Sequence, residues 1–313
     1  MIGLMYQVKR TARSQYVPIR KHNYHVWTWG EPASEKPPLF LVHGWMDVGA
    51  SYQFVVDALS DAFAQGRHII APDWRGYGLT SGPATDNYWF ADYFADLDFL
   101  IDHFAGDRPI DLVGHSMGGN VVMHYGGIRP QRIRRLVNIE GFGNPGSSPD
   151  EAPERYARWM DQIRAYERGE MDLRPYDSAA GVARRLAKTN PRLARDAAGL
   201  DKAQWLATHW ARENPQGQWE ILGDPAHKII YANLSRVEEL LAHYRRLSMP
   251  VLAVEASEEP MGGLWKGKFT KAQYHERLKL VTDCRIAVVQ DAGHMLHHDQ
   301  PEALARLLEE FLS

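Results

Sequence analysis

Ile110-Asp111-Leu112-Val113-Gly114-His115-Ser116-Met117-Gly118-Gly119 joins a short apolar run to the helical pattern NVVMHYGGI of residues 120–128. A G-x-S-x-G set at such a junction requires the chain to turn sharply from strand to helix at the serine. The turn strains the serine's backbone, and the flanking glycines make room for strand and helix to pack closely. It also lifts the Ser116 hydroxyl to the carboxyl end of the strand, where a helix N-terminus favours developing negative charge. G-x-S-x-G alone arises by chance; in its strand-turn-helix context it marks Ser116 as a candidate nucleophile.

Outward from this turn, short apolar runs alternate with helical patterns. The strand-like runs are HVWTWG, LFLVHG, RHIIAPD, RIRRLVNIEG, MPVLAVEAS and CRIAVVQDAG. Helices are expected at about Ser51 to Phe63, Tyr88 to Phe104, Met117 to Arg129, Lys271 to Val281 and Pro301 to Leu312. Continuous apolar strands separated by helices predict an α/β fold, a mostly parallel, doubly wound sheet covered on both faces. Between Phe142 and Ser248 the strand rhythm stops. The turn-rich GFGNPGSSPDEAP leads into the helical stretches RYARWMDQIRAYERG, GVARRLAKT, KAQWLATHWARE and SRVEELLAHYRRL. The division expected is a core of residues 1–141 and 249–313 with a helical cap, residues 142–248, inserted over the ligand-binding edge of the sheet.

A serine hydroxyl is a weak nucleophile near neutral pH and needs a base to take its proton. The candidate is His294 in Ala292-Gly293-His294, between the last strand and the last helix, in the chain order Ser then His. The oxyanion formed on attack needs two N–H donors. The amide of Met117 is one candidate, and the amide of Trp45, after His43-Gly44, is the other. His297 and His298 make H-x-x-H-H with His294, but a catalytic zinc wants a third ligand and a carboxylate base on a helix, whereas this cluster reads as a loop. No metal and no cofactor are expected.

The chain of 313 residues suits one core domain plus an insertion better than two independent domains. No apolar run approaches the roughly 20 residues that span a bilayer. The start, MIGLMYQVKRTARSQYVPIRK, places charges where a secretory signal needs an apolar core, so a cytoplasmic location is expected. The single cysteine, Cys284, excludes an internal disulfide and a cysteine-rich metal site. A formal charge of −3 gives no reason to expect nucleic acid or an anionic membrane as partner. Basic residues gather at Arg132, Arg134 and Arg135 and at Arg184, Arg185, Lys188, Arg192 and Arg195, with spacing that suits solvated faces. Oligomeric state is not legible.

Taken together, LFLVHGW, APDWRGYGLTSG, LVGHSMGG, LVNIEGFG and DAGHMLHHDQPEAL resemble the α/β-hydrolase superfamily, close to the serine hydrolase-like proteins, over roughly two-thirds of the chain. The resemblance implies an α/β-hydrolase fold, with Asp73 and Arg75 as loop-fixing residues. It also implies an acid to orient His294, and here it leaves two positions open. In most of the superfamily the acid follows the penultimate strand, which gives Glu259. In some branches it follows the strand after the elbow helix, which gives Glu140. Glu140 is favoured because it ends a strongly apolar strand and Gly141 and Gly143 let the chain turn away. Dehalogenases and epoxide hydrolases carry Asp at the elbow, so Ser116 disfavours an alkyl-enzyme.

The expected reaction is acyl transfer to water on a small-molecule ester, with Trp159, Met160, Trp205 and Trp210 available to line an apolar pocket. Core packing competes with that role for each of the four. C–C bond hydrolysis, lyase or perhydrolase chemistry on the same triad, and a non-catalytic ligand receptor on the same scaffold, are the alternatives.

Overall fold

The computed structural model describes residues 6–32, 35–258, 263 and 265–313. Its strands are β1 (Arg13–Ile19), β2 (His22–Trp29), β3 (Leu39–Val42), β4 (Ile69–Pro72), β5 (Ile110–His115), β6 (Ile133–Ile139), β7 (Ala211–Glu213), β8 (Trp219–Ile221), β9 (Val251–Ala256) and β10 (Cys284–Val289). Among the described residues eight strands form one sheet in the order β1-β2-β4-β3-β5-β6-β9-β10. The β1–β2 and β2–β4 pairings are antiparallel and all the others are parallel. The helices are α1 (Gln53–Ala58), α2 (Asp61–Ala64), α3 (Phe90–Ala105), α4 (Met117–Ile128), α5 (Ala152–Glu167), α6 (Ala179–Thr189), α7 (Ala197–Trp210), α8 (Val237–Tyr244), α9 (Lys271–Leu278), α10 (Leu296–Asp299) and α11 (Pro301–Leu312).

Strand side chains alternate between two buried faces, as the continuous apolar runs require. Leu39, Leu41, Val113, Val137 and Val254 meet Val55 and Val56 of α1 and Leu304 and Leu308 of α11. Phe40, Val42, Leu112, Leu136 and Val251 meet Leu97 and Ile101 of α3, Val121 and Val122 of α4 and Tyr274 of α9. Each such side chain contributes about 1.5–3 kcal/mol by leaving water. The doubly wound α/β sheet expected from the sequence is therefore present. No helix among the described residues is long and apolar enough to cross a membrane.

Four local features differ from expectation. β1 was not anticipated; RSQYVPI has few apolar residues and pairs only with β2, at the sheet edge. The helix expected over Ser51 to Phe63 is broken at Leu59, which is extended, and Ser60 starts α2 by accepting the N–H of Phe63. In KAQWLATHWARE the helix stops at Trp210, and Ala211–Glu213 instead pairs with Trp219–Ile221 as a hairpin. The side chain of Asn214 holds that turn by accepting the N–H groups of Gln216 and Gln218 at 3.0 and 2.9 Å. Finally, α8 packs on the sheet rather than with the rest of the insertion. Leu240 and Tyr244 join the main core, and a Cβ at Gly127 of α4 would lie 2.5 Å from the His243 carbonyl oxygen. Packing thus divides before residue 248.

The hairpin docks on the loops that follow β3 and β4, at the carboxyl edge of the parallel strands. Gly78 donates to Leu222 O at 2.9 Å, Asp224 to Gly76 O at 2.8 Å, and Trp45 Nε1 to His227 O at 3.1 Å.

Candidate active site

Ser116 sits between β5 and α4 with φ 54° and ψ −113°, a backbone conformation that L-residues rarely adopt and that costs of order 1–3 kcal/mol. The neighbouring glycines are what permit it. A Cβ on Gly114 would lie 2.3 Å from Gly118 O, and one on Gly118 would lie 2.4 Å from Val42 O. The strained turn leaves the Ser116 hydroxyl half-buried at the mouth of the sheet.

His294 reaches it from the loop between β10 and α10. His294 Nε2 lies 2.9 Å from Ser116 Oγ, and His294 Nδ1 lies 3.1 Å from Glu140 Oε2. With Nδ1 donating to the carboxylate, Nε2 is the acceptor of the serine proton. The arrangement can move a proton from hydroxyl to imidazole and stabilise the imidazolium that results.

Of the two candidate acids the one brought to His294 is Glu140; Glu259 lies outside the described residues. Glu140 is buried directly after β6 and has φ 56°, in the left-handed region. Two neighbours hold it there. Its N–H donates to Val254 O at 3.0 Å, and its Oε1 accepts the N–H of Ala256 at 2.7 Å. The turn is fixed by Asn138, whose Oδ1 accepts from Gly141 N at 3.0 Å and whose Nδ2 donates to Gly141 O at 2.8 Å. The other nearby acids are engaged elsewhere: Glu255 with His275 at 2.6 Å and Lys271 at 3.2 Å, and Glu258 with Arg192.

Met117 opens α4, so its N–H belongs to the first turn and has no partner within the helix. The loop carrying Trp45 runs against Ser116, since a Cβ on Gly44 would lie 3.1 Å from Ser116 Cβ. The Trp45 indole itself is exposed and hydrogen-bonds away from the serine.

The four side chains expected to line a pocket separate. Trp210 stands beside the Trp45 loop, with Nε1 donating to Asp47 Oδ1 at 3.1 Å, and lines a narrow cleft with Met46, Tyr77 and Leu222. Trp205 packs edge-on against Phe54 and Tyr6 and lines a separate cavity with Trp27, Trp29 and His209, which does not include Ser116 or His294. Trp159 packs beside Tyr88, Ala226 and Ile229, and Met160 is exposed to solvent.

Asp73 and Arg75 fix loops as expected. Asp73 accepts from Gly49 N at 2.7 Å and Leu79 N at 2.9 Å and faces His25 Nδ1 at 2.8 Å. Arg75 donates to both oxygens of buried Asp96 at 2.6 and 2.7 Å. The basic clusters are not simply solvated faces. Arg134 pairs with buried Asp111 at 2.6 Å. Arg192 is only 10 % exposed and pairs with Asp291 at 2.7 Å, three residues before His294.

Sequence reasoning passed over Asp47 and His115. Asp47 lies fully buried two residues beyond Trp45, and its only sequence signal is that it follows the apolar strand and His43-Gly44 closely. Burial alone would push its carboxyl up, but the imidazoles of His297, His298 and His43 outweigh it and hold it below the usual range. His115 sits under His294, donating from Nε2 to the His294 carbonyl at 2.7 Å. Burial, followed by the charges of His297 and His294, pushes His115 well below the ordinary imidazole range. His297 and His298 lie on the short helix α10, not on a loop.

Residues 37–301 match the family model described as alpha/beta hydrolase fold. The chain is 27% identical to the serine hydrolase-like protein of Danio rerio over 319 residues, covering 97% of this chain and 90% of that one. It is 24% identical over 307 residues to the AB hydrolase superfamily protein YfhM of Bacillus subtilis, covering 96% and 98%. Among solved structures, a thioesterase domain from the curacin biosynthetic pathway superimposes with a TM-score of 0.78 at 21% identity, covering 95% of this chain and 99% of that one.

Proposed function

This chain belongs to the α/β-hydrolase family, and on that premise we propose that it is a serine hydrolase cleaving small to medium apolar carboxylic esters through an acyl-enzyme. Ser116 Oγ attacks the ester carbonyl carbon while His294 Nε2 takes its proton. The N–H groups of Met117 and Trp45 stabilise the oxyanion. His294 then passes the proton to the departing alkoxide, and the acyl group stays on Ser116. Water attacks that ester with His294 again as base, releasing the acid and restoring the serine. Glu140 holds the imidazole in the tautomer that both halves need. No step calls for a cofactor.

The observation that carries this reading is the relay of 2.9 Å from Ser116 Oγ to His294 Nε2 and 3.1 Å from His294 Nδ1 to Glu140 Oε2, ending on a buried carboxylate. The segment between β6 and α8 acts as a cap over the site, a role supported by its hairpin resting on the loops after β3 and β4. Trp210, beside Met46 and Tyr77, is the aromatic of the cap assigned to substrate contact. The setting proposed is the cytoplasm, where the single cysteine, Cys284, persists as a thiol.

The test is a series of p-nitrophenyl esters of increasing chain length, assayed on the full chain and on Ser116→Ala. Turnover of short to medium chains that disappears in the variant is expected. Failure to turn over any ester, with the fold intact, removes the esterase reading.

A further inference from the structure

Asp47, His297 and His298 converge in the buried layer next to the Ser116–His294 pair, and we propose that they bind one divalent transition-metal ion of the zinc class. One ligand atom from each lies within 4.8 Å of the other two. Asp47 Oδ2 and His297 Nε2 are 3.4 Å apart. A charge-assisted hydrogen bond would bring them to about 2.7–2.9 Å. A tetrahedral ion holding its ligands at about 2.0–2.1 Å separates neighbouring donors by about 3.3 Å, which the Asp47–His297 spacing matches; the wider spread of the three donors, up to 4.8 Å, closes by side-chain movement on binding.

The donors are free for that use. Asp47 Oδ2, both ring nitrogens of His297 and both of His298 are buried with no hydrogen-bond partner among the described residues. Buried polar atoms are nearly always satisfied, and here Asp47 Oδ2 and one nitrogen from each of the two imidazoles converge without a hydrogen-bond partner among the described residues, which calls for an occupant. The carboxylate is already oriented for it. Asp47 Oδ1 accepts from the Ser51 hydroxyl and from Trp210 Nε1, which turns Oδ2 toward the imidazoles. The neighbouring cation, Lys202, is engaged outside the donor set, with Nζ donating to the His298 carbonyl at 3.0 Å.

Two imidazoles and one carboxylate suit zinc or a similar transition ion rather than magnesium or calcium, which take oxygen ligands. One sequence ground against a metal is removed, since Asp47 supplies the third ligand from a distant part of the chain, and the two histidines lie on α10 rather than on a loop. A bound ion ties the loop carrying Trp45 to the helix following His294, and so fixes two halves of the candidate site against each other.

The test is calorimetric titration of the full chain, stripped with a chelator, with Zn²⁺. About one equivalent is expected to bind, with affinity lowered at least about tenfold in Asp47→Asn and in His298→Asn and unchanged in Ser116→Ala. X-ray absorption at the zinc edge on the wild-type chain, free of any concern over variant folding, is expected to show coordination by two imidazoles. No binding by the wild-type chain, undiminished binding in both ligand variants, or a zinc environment without that imidazole pair overturns the proposal. Because Ser116→Ala keeps the metal and loses ester turnover, the two readings fail independently.

Discussion

Glu140 Oε2 stands 3.1 Å from His294 Nδ1 while Glu140 Oε1 accepts the N–H of Ala256 at 2.7 Å, so the acid is clamped by the strand next to its own. Glu140→Gln keeps the shape and loses the carboxylate that faces the His294 imidazole, which on the proposed mechanism fixes its tautomer. A fall in kcat of about 10³–10⁴ is expected, on the scale of the same loss in the chymotrypsin triad. Glu259→Gln should stay near wild type. Equal, small losses in the two variants would mean that neither carboxylate orients His294.

Arg192 reaches from the turn before α7 to Asp291, which has φ 51° and lies just upstream of His294. Gly293 N also donates to Asp299 Oδ2 at 2.9 Å, and Asn190 Nδ2 to Asp299 Oδ1 at 2.8 Å. The insertion therefore braces the turn that presents His294. Arg192→Ala should lower kcat by roughly ten- to a hundredfold, because small misplacements of a reacting group are costly, while KM changes little. Partial recovery in Arg192→Lys is expected. A rise in KM with kcat unchanged would place Arg192 in substrate binding instead.

Much of this was legible in advance for a physical reason. The elbow needs glycines at 114 and 118 because backbone atoms occupy the space a Cβ would take, and such a demand is written locally. The buried strands β3, β5, β6 and β9 bring apolar residues to both faces of the sheet, which also shows in a short window. What was not legible depends on partners far along the chain. Trp205 reads the same whether it lines a pocket at Ser116 or packs on Phe54, and nothing near Asp47 announces that His297 will face it. The helical pattern runs through Ala211–Glu213 up to the turn Asn214-Pro215-Gln216-Gly217, and where the helix gives way to the hairpin depends on distant partners, Tyr176 pairing with Trp219 and Gly78 donating to Leu222.

Asp96 is fully buried and satisfies Arg75, Arg20 and the Tyr24 hydroxyl at once. Asp96→Ala removes two of the hydrogen bonds of the buried Arg75 guanidinium and leaves it Asp92, at 3.0 Å, as its carboxylate partner. A loss of about 3–5 kcal/mol is expected, read as a lower urea midpoint at unchanged slope. A midpoint equal to wild type would show that the pair adds nothing.

Stability should also fall with acid below neutrality. Burial pushes His227, stacked between Tyr77 and Tyr88, down to about 3. Burial, then His243, pushes His124 to about 3, and burial, then Arg13 and Arg108, pushes His68 to about 4. The unfolded chain protonates these imidazoles near pH 6.5 and the folded chain does not, so the unfolded state binds more protons between about 4 and 6.5. Stability is fully present above that window and declines as pH drops through it, by up to about 1.4 kcal/mol per pH unit for each proton. Urea midpoints at pH 7.5, 6 and 5 read this directly; a flat series contradicts it.

The most direct test of Ser116 as an activated nucleophile is labelling of the folded chain with a fluorophosphonate, followed by mass mapping of the adduct. One phosphonyl group on Ser116, absent in Ser116→Ala and strongly slowed in His294→Ala, is the result expected. An unmodified Ser116 in a chain with its fold intact would contradict the hydrolase reading at its centre.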